Sequence, residues 1–186
     1  MRIKFFLVVG LAAAVFVLAI ATTKNYDRVD LSQPQDGTYR SDEMIFLKTF
    51  YLMKAGHNYY EAFGKAVDVD VRGIKLTRDA FQWRLPTVFY VWKLTADTGG
   101  QIVRNFWLLA FGSLVVIYFL MKKFVGAWLA CLSPIILIPY FADTLIYQTS
   151  FLFTEWWGWF FLIFGLTFLV YKQMKLAWIL LVMAAV

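Results

Sequence analysis

Between Arg104 and Lys122 the chain carries seventeen consecutive residues without a charge, NFWLLAFGSLVVIYFLM. A helix over 102–121 measures about 30 Å, the thickness of a bilayer's hydrocarbon core. Three further apolar runs have comparable length: 5–21, about 25 Å as a helix, then 124–141 and 145–171. Hydrophobic residues make up 61% of the 186 and the mean hydropathy is +0.64, well above the roughly half that soluble domains carry. The expected fold is an all-α integral membrane protein with four full transmembrane helices and a partial fifth. A large first outer loop carries interfacial helices. The divisions are 1–21 as the first transmembrane helix, 22–101 as the outer loop, and 102–186 as the later spans. The last run, 176–186, covers about 16 Å, half of the core. That length fits the N-terminal part of a longer protein.

Charge supplies the orientation. Arg2 and Lys4 precede the first run, Lys122 and Lys123 follow the second, and Lys172 and Lys175 follow the fourth. Cations in short loops mark the cytoplasmic side. The expected topology has the N-terminus in, 22–101 out, 122–123 in, 140–148 out and 172–175 in, at the cytoplasmic membrane. A cleaved signal peptide is the rival for 5–21, since Ala19-Ile20-Ala21 resembles a cleavage site, but the apolar run is long for one and an uncleaved helix is favoured. The net charge of +6 is not gathered in a groove-like run. It argues for topology and contacts to lipid phosphate, and against nucleic acid. One histidine and one cysteine, Cys131, leave no zinc cluster and no intrachain disulfide.

The polar stretch from 22 to about 104 holds twelve of the eighteen cations and ten of the twelve acids. Ser41 can cap a helix over 42–55 that Gly56 ends in a left-handed conformation. This helix is apolar nearly all round, with Ser41 and Lys48 as a narrow polar stripe. At fourteen residues it is too short to span, so it should lie along the interface or pack on the spans. A second short helix is expected over 59–66, and a strand or extended loop over 67–80. An interfacial helix over 81–94 starts near Pro86, with Trp83, Tyr90 and Trp92 in the aromatic belt. Thr98-Gly99-Gly100 breaks it before the next span.

The segments expected in the cytoplasm hold no acid, and only Asp143 and Glu155 lie within or beside later spans. Glu155 precedes Lys172 by 17 residues, about 25 Å of helix, which sets it near the outer edge. An acid kept in a membrane is a functional candidate because it is costly there. Structural readings stand beside each candidate. Asp42 and Glu43 in a first turn favour the helix dipole, and Arg84 could be a snorkelling anchor. Glu155, flanked by tryptophans, could mark a boundary. Asp143 could cap a turn, and His57 could be a surface loop residue.

Ser41-Asp42-Glu43, the apolar helix after it, and Ala55-Gly56-His57-Asn58-Tyr59-Tyr60 resemble the first outer loop of GT-C glycosyltransferases. Those include the protein O-mannosyltransferases and the aminoarabinose transferases of lipid A. Leu132-Ser133-Pro134, Asp143 and Phe153-Thr154-Glu155 are similar to that class as well. The resemblance implies transfer of a sugar from a polyprenyl-phosphate donor to an acceptor hydroxyl of a glycan, lipid or protein at the outer face. It implies Asp42 as general base with Glu43 beside it. Arg84, then Lys93 and Arg104, would neutralise the leaving phosphate; His57, Asp143 and Glu155 would line the substrate site. One carboxylate base without a carboxylate nucleophile implies inversion. No cofactor or metal site is visible beyond the lipid-linked donor and membrane lipid. The alternative is a non-catalytic polytopic membrane subunit or a transporter fragment. A carrier would gather its polar groups at the midplane, whereas here they gather at one face.

Overall fold

The computed structural model describes residues 41–67, 86–136 and 154–185, together with Phe6, Val9, Gly10, Ala13, Ala14 and Val17, which are helical. Among the described residues every regular element is a helix: α1 (Ser41–Lys54), α2 (Tyr59–Val67), α3 (Thr87–Thr95), α4 (Gly99–Leu129), α5 (Thr154–Val170) and α6 (Met174–Ala185). A 3-10 turn, Ala130–Leu132, follows α4.

Local chemistry sets the helix ends. Gly56 takes φ 105° after α1, and the N–H groups of Gly56 and His57 donate to the carbonyls of Met53 and Leu52. This is a Schellman closure, which needs a left-handed residue and suits glycine. Asn58 then caps α2, its Oδ1 accepting from the Glu61 N–H at 3.0 Å. Pro86, with φ −69° and no N–H to leave unsatisfied, directly precedes α3. Thr98 caps α4 through its side chain, which accepts from the Gln101 N–H at 3.3 Å. Gly99 and Gly100, expected to lie in the break, are therefore the first residues of α4, and the break falls at Ala96–Thr98.

The helices α1, α2 and α3 pack together as a cap. Phe46, Leu47, Phe50, Met53, Tyr59, Phe63, Val88 and Phe89 are buried among them. Removing such side chains from water is worth about 1.5–3 kcal/mol each. The small amphipathicity of α1 now has a cause. It is covered by protein on most of its circumference, with Lys48, Tyr51 and Leu52 half-buried. Where α1 was expected to lie along the interface or pack on the spans, it packs chiefly on α2 and α3, and it meets α4 through the Tyr51 hydroxyl at Gly99. Trp92 corrects its expectation: it is 0% exposed, its ring meeting Phe89 at 5.0 Å and Trp157 at 5.7 Å. It belongs to the protein core because α3 packs against α1 as well as α4 and α5, and Tyr90 holds the exposed face instead.

The stretch Gly99–Ile136 is long and apolar enough to cross a membrane, and only 22% of its most apolar window is buried. A core helix of a soluble protein would be mostly covered. Phe124, Val125, Trp128, Leu129, Leu132, Ile135 and Ile136 are exposed instead, an apolar surface of the kind that marks a lipid or protein contact. The stretch is not one straight rod. Gly126 takes φ 78° and ψ 168°, and Tyr118 packs in one cluster with Ala130 and Cys131. Twelve residues of straight helix would separate Tyr118 from Ala130 by about 18 Å, so the chain folds back at Gly126. That turn separates the runs expected as the second and third spans. Four full spans are not all within the described residues: the third is described only to Ile136, and the fourth only from Thr154. The first is described at six positions.

In the apolar half, buried hydroxyls are satisfied within their own helices. Ser113 donates to the Ala110 carbonyl at 2.7 Å, Ser133 to Ala130 at 2.7 Å, and Thr167 to Ile163 at 2.8 Å. Such internal satisfaction is what a medium without water demands. The turn from α5 to α6 is another Schellman closure, with Lys172 at φ 62° and the Lys172 and Gln173 N–H groups donating to Leu169 and Phe168. α6 then packs back antiparallel along α5, with Leu181 against Gly165 and the Ala184 carbonyl near Gly158.

Candidate functional site

Two packing registers decide which charged residues can meet. The helices α4 and α5 run parallel: Phe106 packs on Phe160 at 5.2 Å, Gly112 faces the Phe164 ring, and the Tyr171 hydroxyl donates to the Phe119 carbonyl at 3.2 Å. The offset is close to 52 residues along the whole pair. The start of α5 therefore comes level with the start of α4, and Glu155 with Val103 and Arg104. α1 and α3 also run parallel, offset by 43. Phe46 meets Phe89 at 6.0 Å, and Lys54 Nζ lies 2.6 Å from Asp97 Oδ1.

An aromatic node sits where the cap meets α4 and α5. The buried ring of Trp157 contacts Trp92 of α3 at 5.7 Å and Phe106 of α4 at 6.2 Å. Each ring is within two residues of a charged candidate: Lys93 follows Trp92, Arg104 precedes Phe106 by two, and Glu155 precedes Trp157 by two. Lys93 is half-buried, while Arg104 and Glu155 are exposed at this level. The Thr154 hydroxyl lies 3.4 Å from Glu155 Oε2. The ring contacts join three helices, while Arg104 and Glu155, two residues before their buried rings, lie about 200° around their helices from the node. Within the node Trp92 Nε1 is buried with no hydrogen-bond partner among the described residues.

The cap's own charges pair with one another. Lys54 reaches both Asp97 and the Lys93 carbonyl, the latter at 3.5 Å. The Tyr51 hydroxyl accepts from the Gly99 N–H at 3.1 Å, tying the end of α1 to the start of α4. His57 is half-buried, with Nδ1 2.9 Å from Glu61 Oε1. Lys65 Nζ lies 2.8 Å from the same oxygen and 3.4 Å from His57 Nε2. Hydrogen bonds from Lys65, then from His57, hold the Glu61 carboxyl below its ordinary range. His57 is a loop residue, as expected, and it also contacts the Glu61–Lys65 pair. Glu61 and Lys65 were not among the candidates, although the four-residue steps from 57 to 61 to 65 are visible in the sequence.

The backbone of Asp42 and Glu43 forms the first turn of α1. The α1–α3 offset sets that turn level with Pro86–Thr87, about 18 Å along the helix from Lys54. Lys93 therefore does not share a level with Asp42. The side chains of 41–44, and Arg84, Asp143, Trp83 and the 67–80 stretch beyond Val67, lie outside the described residues. Among the described residues no group of three or more His, Cys, Asp or Glu could hold a metal ion.

The two ends of the α4–α5 pair differ in charge. At the start stand Asp97, Arg104 and Glu155; at the far end stand Lys122, Lys123, Lys172 and Lys175, with Lys123 Nζ 4.9 Å from the Tyr171 ring centre. No protein-family profile, curated protein or solved structure matches the chain.

Proposed function

We propose that this is a polytopic membrane protein in which 22–101 face away from the cytoplasm. At that face it passes a sugar from a polyprenyl-phosphate carrier to an acceptor hydroxyl, in the manner of GT-C enzymes. The observation that supports the reading is the charge asymmetry of two parallel apolar helices: Asp97, Arg104 and Glu155 stand at one end and only lysines at the other. A lipid-linked donor presents its phosphate at headgroup depth, where Arg84, near the level of Asp42 by sequence, would offset the charge that grows on the leaving group, with Lys93 and Arg104 further from the base.

The chemistry balances with the residues proposed. The acceptor oxygen attacks the anomeric carbon, and its proton passes to the Asp42 carboxylate. The bond from that carbon to the phosphate oxygen breaks, and the polyprenyl phosphate leaves with the electron pair. A single displacement inverts the anomeric configuration. Glu43 and Arg84 adjoin this chemistry by sequence, Asp42 with Glu43 and Arg84 near the start of α3. His57 and Asp143 complete the proposed substrate site.

A second reading, a non-catalytic membrane subunit, is favoured by one observation. The cap charges Lys54, Asp97, His57, Glu61 and Lys65 are engaged with one another. Membranes containing the full protein, supplied with radiolabelled polyprenyl-phosphate mannose or aminoarabinose and candidate acceptors, separate the two. The transferase reading expects label transfer that Asp42→Asn abolishes without loss of insertion, and weaker donor binding in Arg84→Ala. Near-normal transfer by Asp42→Asn removes the base, and no transfer by the native protein favours the subunit.

A further inference from the structure

We infer that the first turn of α4 is conditional, wound into helix only while α1 is seated against α3, so that it couples the cap to the head of the long apolar stretch. The turn begins Gly99-Gly100, and glycine gives up the most backbone freedom on entering a helix. Side chains from two places hold it. The Thr98 hydroxyl accepts from the Gln101 N–H at 3.3 Å, and Gln101 Oε1 accepts from the Asp97 N–H at 2.6 Å. Both of these are local. The other tie comes from α1, 48 residues earlier, where the Tyr51 hydroxyl accepts from the Gly99 N–H at 3.1 Å.

Water treats these bonds differently. The Asp97 N–H lies at an exposed site, where water replaces a lost partner. Gly99 is buried, and a buried N–H left without an acceptor is strongly disfavoured. Packing fixes where the Tyr51 hydroxyl sits. Phe50 and Met53 are fully buried, and the Phe50 and Tyr51 rings meet at 5.1 Å. When α1 shifts, Gly99 loses its acceptor, and unwinding the turn returns its N–H to water. The Ile102 N–H donates to the Thr98 carbonyl at 3.2 Å, so unwinding also frees the backbone just ahead of Arg104. Across residues 96–98, Asn105 Nδ2 donates to the Thr95 carbonyl at 3.0 Å and to its hydroxyl at 3.2 Å, which keeps the end of α3 beside the second turn of α4. Coupling of this kind is reciprocal: whatever seats α1 winds the turn, and whatever winds the turn seats α1. The device stands whether or not the protein transfers a sugar.

Hydrogen exchange read by mass spectrometry tests the coupling on the purified full chain in detergent micelles, with peptides covering α1, 98–104 and 107–120. Tyr51→Phe keeps the ring and removes only the hydroxyl. Amides of 98–104 should then exchange about tenfold faster, with 107–120 unchanged. Phe50→Leu loosens the seat of α1 while leaving Tyr51 in place, and should speed α1 and 98–104 together. Asp97→Asn alters an exposed ion pair and should stay within about twofold of native. Native rates over 98–104 in Tyr51→Phe overturn the coupling, because the turn would then be held by its local caps alone. An equal rise over 107–120 in that variant overturns it as well, since it marks general loosening. So does faster exchange of α1 in Phe50→Leu without a change over 98–104. Should Phe50→Leu fail to fold, Tyr51→Phe alone decides.

Discussion

The hydroxyl of Tyr171, at the end of α5, donates to the carbonyl of Phe119 on α4, 52 residues earlier. With Phe106 on Phe160 two or more turns away, this bond fixes the two helices as parallel. Parallel neighbours need an intervening pass in the opposite direction, and the reversal at Gly126 begins it.

Packing of α5 on α6 depends on the absence of a side chain at Gly165. A Cβ there would lie 2.9 Å from Leu181 Cγ and 3.2 Å from the Leu181 backbone nitrogen. The backbone cannot yield as a side chain can, so Gly165→Ala should destabilise the protein by about 1–3 kcal/mol. At Gly158 the nearest atom would be 3.6 Å away, and Gly158→Ala should stay within about 0.5 kcal/mol. Thermal unfolding in detergent ranks the two; a larger loss at Gly158 would contradict the packing.

The link between cap and span rests more on a neutral hydrogen bond than on an ion pair. Tyr51→Phe leaves the N–H of buried Gly99 without its acceptor, a loss of about 1–2 kcal/mol. The Lys54–Asp97 pair is 31% and 77% exposed, so Asp97→Asn should cost about 0–1 kcal/mol. Proteolysis of the cap under native conditions should follow the same order, with Tyr51→Phe cut faster.

Much of this architecture could be read from the sequence, for local reasons. Gly56, Pro86 and Thr98 mark boundaries because each has a backbone or capping preference that acts within a few residues. The helices expected over 42–55 and 59–66 are found at Ser41–Lys54 and Tyr59–Val67, and the one expected over 81–94 is described from Thr87 to Thr95. Trp92 was misassigned because a tryptophan beside polar residues looks the same whether it faces headgroups or another indole. Its partner Trp157 is 65 positions away, and no local pattern announces that contact. The aromatic node of Trp92, Phe106 and Trp157 was hidden for the same reason. His57 differs: it lies in the loop that Gly56 announces, and its partners Glu61 and Lys65 follow at four-residue steps.

The pairing of Glu61 should be visible in pH dependence. Its carboxyl is held below its ordinary 4.5, first by Lys65 and then by His57. A depressed carboxylate adds stability that is present above the unfolded value and is lost as pH falls through the folded one. Native protein should therefore unfold at a higher temperature than Glu61→Gln at pH 6–7, and the gap should narrow as pH falls below the ordinary carboxyl value and close once it passes the lowered folded one. A gap that persists at pH 3, or opens only in acid, would contradict the cluster.

The central claim is that the acid-bearing and lysine ends face opposite sides of a membrane. In a Cys131→Ser background, single cysteines replacing Gly37 and Lys122 can be challenged with a membrane-impermeant maleimide on intact cells and after permeabilisation. The account predicts that position 37 reacts on intact cells and position 122 only after permeabilisation. Labelling of both from the same side would contradict it.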